Sequence, residues 1–264
     1  MVPTMADKEH KSIFVDTNVL APLNLLFLTY DSLKISPASY FDNLSDLKNA
    51  LGKKLPDIYD QKAIEIGFNA WRLINRTLEN CEIDLYYSYL LDIEFRDILI
   101  NHKFHEYLSR EGFCYRVFKK RPLKNQVFFS YADDIESVCT EMYNRLNMLG
   151  INLIWCESND ESNIADEIAP MLKILSRYVF LDAMDAYFYC LAIRNFCSVF
   201  VTRDTEFFGV MENLSQGVDD EWKKLRDNIV NDLCSFLPVF NDFVNSGNSL
   251  LPVPINPKNN GGVI

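Results

Sequence analysis

Short apolar runs alternate with longer stretches of helical spacing along this chain. The first run, "SIFVD" at 12–16, predicts a buried strand. A helix is expected over 17–30, with Asp16 or Thr17 as its N-cap and Pro22 near its first turn. In 56–80 the apolar positions 64, 66, 68, 71, 74 and 78 follow nearly helical spacing, and Pro56 suits a helix start. "IDLYYS" at 83–88 is β-branched and aromatic, which predicts a second strand, followed by a helix to about 108.

Residues 111–126 break the pattern and predict a loop or hairpin. A helix over 131–149 should close at Gly150, before a third strand at 151–156. The polar "ESNDESN" then predicts a loop. Residues 164–178 are helical in pattern, with Pro170 dividing them into two pieces. A strong helix at 181–195, a fourth strand at 197–202 and one or two helices over 205–237 complete the alternation. The proline-rich tail predicts an edge strand and then a partly flexible end over about 250–264.

Strands separated by helices predict a three-layer α/β/α sandwich around a mainly parallel central sheet. Extra helical insertions fall at about 35–80 and 110–178. With 264 residues, 48% of them hydrophobic, and no internal repeat, the chain is expected to form one domain over 1–264.

Composition narrows the setting. No apolar stretch approaches the roughly 20 residues needed to span a bilayer, and the polar N-terminal residues do not resemble a secretory signal. Seven Cys without a C-x-x-C pair suggest reduced, buried thiols and a cytoplasmic protein. The net charge of −11 argues against broad non-specific affinity for nucleic acid, while leaving room for a local basic groove. It also suits a site that gathers carboxylates.

The acids fall where such a site would form, because functional groups in open α/β sheets cluster at the carboxyl ends of strands. Asp16 ends the first strand, and Asp204 lies two residues past the fourth. Glu94 lies six residues past Ser88, one to two turns into the helix after the second strand. Asp185 lies in the helix that feeds the fourth strand. Four carboxylates gathered together repel and raise one another's pKa unless a cation compensates. Mg²⁺ or Mn²⁺, which prefer oxygen ligands, would do so and would activate a water towards a phosphoryl group. Asn18 is placed to hydrogen-bond a neighbouring carboxylate.

This order of motifs resembles the PIN-domain nuclease family. The likeness rests on "VDTN" at 15–18, "S-x5-E" at 88–94, "DA" at 185–186 and "VTRD" at 201–204, with Asp204 placed 19 positions after Asp185. The resemblance implies a PIN-like fold and metal-dependent hydrolysis of RNA phosphodiesters, with DNA ranked behind RNA. Asp16, Glu94, Asp185 and Asp204 would be the catalytic and metal-binding acids, and Asn18, Ser88 and Thr202 their polar supports. It also implies a toxin-type ribonuclease held by an antitoxin protein, or a role in RNA processing, with homo-oligomers among the partners to test. The matched segments cover about half the chain. The added helices and the overall acidity set this chain apart from a minimal member.

Each acid also has a plainer role. Asp16, Asp204 and Asp182 all stand where a helix N-cap is expected. Glu94 has Asp92 and Asp97 for company, as on a solvated helix face. Asp182 and Asp185 share a face. Spacing to Thr202 favours Asp185 as ligand, leaving Asp182 as a cap or supporting group. Glu206 is a further candidate behind Asp204. Arg203 stands beside Asp204, where it would reach a scissile phosphate or pair with an acid.

Lys119, Lys120, Arg121 and Lys124 make a basic loop suited to a phosphate backbone or to simple solvation. His102 and His105 lack an evident third ligand, and the aromatic runs "YYSY" and "AYFYC" are expected to pack the core. Two other functions compete. One is a non-catalytic PIN-like module that binds RNA or protein. The other is a haloacid-dehalogenase-like phosphatase, which "DTNV" resembles except that Asn18 stands where that motif has its second Asp.

Overall fold

A computed structural model describes residues 9–36, 43–51, 61–112, 121–157 and 164–258. Along the chain run β1 (Glu9–Val15), α1 (Thr17–Ser32), α2 (Leu44–Leu51), α3 (Gln61–Asn80), β2 (Cys81–Tyr87), α4 (Tyr89–Arg110), α5 (Arg121–Met148) and β3 (Ile151–Trp155). These are followed by α6 (Ile164–Leu175), α7 (Ala183–Arg194), β4 (Val199–Val201), α8 (Thr205–Gln216), α9 (Asp220–Phe236), α10 (Val239–Asn245) and β5 (Val253–Ile255).

The five strands form one sheet in the order β3-β2-β1-β4-β5, every pair parallel. The expected three-layer α/β/α sandwich is therefore present, and its sheet is wholly rather than mainly parallel. The chain moves from β1 to β2 and β3, then returns to place β4 on the other side of β1. Right-handed crossovers put the helices before this return on one face and those after it on the other. Packing agrees: α1 lies against α3 and α4, and α4 against α5, while α6 lies against α7 and α9, and α8 against α9.

The central strands carry the core. Ile13, Phe14 and Val15 of β1 and Val199, Phe200 and Val201 of β4 are all buried, as strands covered on both faces must be. Phe14 stacks on Phe200 with ring centres 5.3 Å apart. Phe188 of α7 closes on the same ring of Phe14 at 5.9 Å. Across the sheet, β5 is tied to α7 by the buried Tyr189 hydroxyl, which donates to the Pro252 carbonyl at 2.9 Å.

Two prolines mark where the chain departs from the expected boundaries, while Pro22 lies in the second turn of an α1 that begins at Thr17 as expected. Pro170 lies inside α6, which remains one helix because Ile168, Met171, Ile174 and Leu175 bury a continuous face around it. Residues 121–126 are helical, not loop. Pro122 falls in the first turn of α5, where its missing N–H has no helical acceptor to lose. Residues 113–120, with Lys119 and Lys120, lie outside the described residues, as do Pro56 and the end of the tail from 259.

One close approach fixes the layer over β1. A side chain at Gly67 of α3 would place its Cβ 2.1 Å from the Pro22 carbonyl oxygen of α1. These two helices meet because residue 67 has no Cβ. Six of the seven cysteines lie among the described residues, and all six are free and buried. Among the described residues no helix is long and apolar enough to cross a membrane.

Candidate functional site

The strand order reverses between β1 and β4, and in open α/β sheets the carboxyl ends of the strands at such a switch point border the ligand crevice. Val15 pairs with Val201 across it, so Asp16 and Thr202 leave the sheet side by side. The Asp16 N–H donates to the Val201 carbonyl at 2.9 Å, and the Thr202 N–H to the Ile255 carbonyl at 3.0 Å. The backbone at this edge is therefore held from both sides.

Asp16 occupies the N-cap position of α1, but its carboxylate makes no cap hydrogen bond. It is instead 6% exposed and accepts from Thr202 Oγ1 through Oδ2 at 2.7 Å. Burial pushes its pKa up. The Thr202 hydrogen bond and the nearby N–H groups of Asn18 and Thr17 oppose that rise, and the charge of Glu94 adds to it.

Thr202 is the hub of a short relay. Its hydroxyl donates to Asp16 and accepts from Asn18 Nδ2 at 3.2 Å and from the Asp204 N–H at 3.1 Å. Asn18 continues the clamp by accepting the Arg203 N–H on Oδ1 at 2.9 Å. The Arg203 guanidinium donates from Nη1 to the Asn18 carbonyl at 3.2 Å. "VDTN" and "VTRD" thus lock together across the point of strand reversal.

The other acids arrive from helices. Ser88 is fully buried and caps α4, its Oγ accepting the Leu91 N–H at 3.1 Å. That cap sets the start of the helix that carries Glu94. Glu94 Oε2 accepts from Thr17 Oγ1 at 2.8 Å, which binds the second acid to the residue after Asp16. Asp92 and Asp97 are used elsewhere. Asp92 accepts from Arg96 Nε and from the Tyr143 hydroxyl, each at 2.7 Å, and Asp97 accepts from Asn101 at 2.9 Å. The acids of α4 therefore separate into structural ones and Glu94.

Asp182 and Asp185 divide their roles. Asp182 caps α7 by accepting the Met184 N–H at 2.9 Å. Asp185, in the first turn, has its pKa pushed up to about 6. Partial burial is the largest cause, followed by the charges of Asp16, Asp204, Asp182 and Glu94. The other three candidate acids thus all act on Asp185. Asp204 is a real helix cap as well: its Oδ1 accepts the N–H groups of Glu206 and Phe207 at 2.8 Å each. Glu206 contributes that backbone N–H while its side chain is exposed.

Two members of this constellation escape the sequence reading. Thr17 was expected at most to cap α1, although its place directly after the first acid was a signal. Pro22 stands four residues after Asn18 and lacks the N–H that would occupy the Asn18 carbonyl. Among the described residues, no three acidic, His or Cys side chains stand close enough to form a ready-made metal cage, the pair His102 and His105 included. What the arrangement offers is an all-oxygen, strongly negative crevice whose individual carboxylates are oriented by hydroxyls and helix N–H groups.

No family model matches this chain, and no curated protein and no solved structure matches it.

Proposed function

We propose that this chain is a metal-dependent endoribonuclease of the PIN-domain type, hydrolysing RNA phosphodiesters at the β1/β4 crevice. The observation that carries the reading is Asp185. Burial first, and then the charges of its neighbour Asp182 and of Asp16, Glu94 and Asp204 from three distant parts of the chain, make its carboxyl harder to ionise. Evolving such a cluster at a topological switch point makes chemical sense when a cation shares the site.

The donor set fits Mg²⁺ or Mn²⁺. Both take hard oxygen ligands, and Mg²⁺ keeps several waters while binding through one or two carboxylates, so a closed protein cage is not required. Asp16, Glu94, Asp185 and Asp204 would hold the ion, which when bound supplies a nucleophilic water and stabilises charge on the phosphoryl oxygens. Thr202 and Thr17 fix the directions of Asp16 and Glu94. The first-turn N–H groups of α8 fix one oxygen of Asp204. Arg203, anchored on Asn18, supplies a positive charge beside the cluster for the substrate phosphate.

The test is a paired cleavage assay. Wild type and Asp185→Asn are incubated with mixed RNA and with single-stranded DNA, in Mn²⁺, in Mg²⁺ or in EDTA. RNA cleavage that disappears in EDTA and in the variant supports the proposal. Folded wild type that cuts neither polymer with either metal overturns it and favours a binding module.

A further inference from the structure

We infer that the pocket between α6 and α7 is a subsite for one unpaired nucleotide of single-stranded RNA, with Phe180 as its stacking surface and Arg177 as its phosphate contact. The inference rests on the ribonuclease reading for the identity of the polymer. The pocket itself is visible independently of that reading.

Phe180 is 96% exposed, the most exposed of the large apolar side chains among the described residues. A ring this exposed contributes almost no buried area to the core and leaves both faces open for stacking. With Arg177, Tyr178, Leu181 and Ala186 it lines a pocket of about 410 Å³. That volume falls in the range of small-molecule sites and suits a single nucleotide rather than a duplex. The pocket is also a neighbour of the acidic crevice. Ala186 directly follows Asp185 on α7, and Leu181 directly precedes the cap Asp182. The pocket and the crevice thus share the first turn of α7, within reach of one bound strand.

The charge of the pocket fits the ligand. The Arg177 side chain is 55% exposed, and its nearest carboxylate oxygen, on Asp232, is 3.7 Å away. Exposed ion pairs of this kind contribute little, so a phosphate can take the guanidinium. Lys173, one turn earlier on α6, lines an adjoining pocket of about 350 Å³ that Arg177 shares. That pocket also holds the Asp232 carboxylate, so Arg177 is the cation common to both pockets. In a chain of net charge −11, affinity for RNA must come from such local cations and from stacking, which tolerates any base.

The experiment is a fluorescence-anisotropy titration in EDTA, where the proposed cleavage is off. The probes are a labelled twelve-nucleotide single-stranded RNA, the same strand in duplex form, and the DNA strand of the same sequence. Phe180→Ala is expected to weaken single-stranded RNA binding about tenfold, with Phe180→Trp retaining it. Arg177→Ala should weaken binding and flatten its salt dependence, and the duplex should be indifferent to Phe180. Wild-type affinity in Phe180→Ala, no binding of single-stranded RNA by wild type, or Phe180-dependent binding of the DNA strand instead of RNA would each overturn the inference. The same variants in the Mn²⁺ cleavage assay separate the two proposals. Cleavage by wild type with unaltered binding in Phe180→Ala removes the subsite alone. Phe180-dependent binding without cleavage removes the nuclease reading alone.

Discussion

Arg203 supplies the hydrogen bond that Pro22 withholds. In a regular helix the N–H of residue 22 would bond the carbonyl of Asn18, but proline has none. The Arg203 guanidinium donates to that carbonyl at 3.2 Å instead, while Asn18 Oδ1 accepts the Arg203 backbone N–H. A proline in the second turn of α1 thereby helps place a cation beside the acidic crevice.

This relationship is open to a double-mutant cycle. Arg203→Ala strands the Asn18 carbonyl in the wild-type background, whereas in Pro22→Ala the new N–H can take it. The two substitutions should therefore couple by about 1 kcal/mol in denaturant unfolding, the worth of an ordinary hydrogen bond. Additive effects would show that the two residues act separately.

Thr202 should matter beyond its size. Thr202→Val keeps the shape but leaves the Asp16 carboxylate and two donors without their partner, at a cost of about 2 kcal/mol. Thr202→Ser should restore most of it. Because the Thr202 hydroxyl holds the Asp16 pKa down, the valine variant should also lose the proposed metal-dependent activity at a higher pH than wild type does as the solution is acidified. Chemical denaturation and a pH–rate profile check the two halves.

Asp185 links stability to pH with a definite sign. Its pKa is raised from 3.8 to about 6 on folding, so the native state holds this proton more tightly than the unfolded chain does. The corresponding stability is full below about pH 4 and lost as pH rises through about 6. In EDTA at pH 7.5, Asp185→Asn should therefore be more stable than wild type by about 1 kcal/mol, after allowance for its partial exposure, or about 2 °C in Tm. The gap should close near pH 4. Thermal melts of both proteins across this range provide the check, and a gap that persists at pH 4 would contradict the electrostatic cause.

Gly67 tests the layer that supports β1 and α1. Gly67→Ala puts a methyl group 2.1 Å from the Pro22 carbonyl oxygen, so α3 must move away from α1. Destabilisation of about 2 kcal/mol is expected, measured by urea unfolding, despite alanine's better helix propensity.

The alternation of strands and helices was legible because the central strands β1 and β4 are short apolar runs ending at an acid or a polar residue, as Val15-Asp16 and Val201-Thr202 show. Asp16 and Asp204 were singled out by those strand ends, whereas Glu94 and Asp185 lie in helices and stood out only by motif spacing. What escaped depends on distance in space. Nothing local says that the hydroxyl of Thr17 reaches Glu94, 77 residues on, or that Asp16 turns from its cap position towards Thr202. Prolines misled in the opposite direction. Pro170 reads as a break, yet the buried face of α6 holds the helix through it, and Pro122 reads as loop where it begins α5. The aromatic residues carried a similar ambiguity, since core packing and an exposed ring such as Phe180 look alike in sequence.

Asp16, Glu94, Asp185 and Asp204 are proposed to act together on a divalent cation. The decisive experiment is isothermal titration of Mn²⁺ into the intact protein at pH 7.5, with Asp185→Asn and Asp182→Asn alongside. Wild type should bind Mn²⁺, Asp185→Asn should lose at least about tenfold in affinity, equivalent to about 1.4 kcal/mol, and Asp182→Asn should bind like wild type. Wild type that takes up no Mn²⁺, or an Asp185→Asn variant that binds it unchanged, would contradict the account.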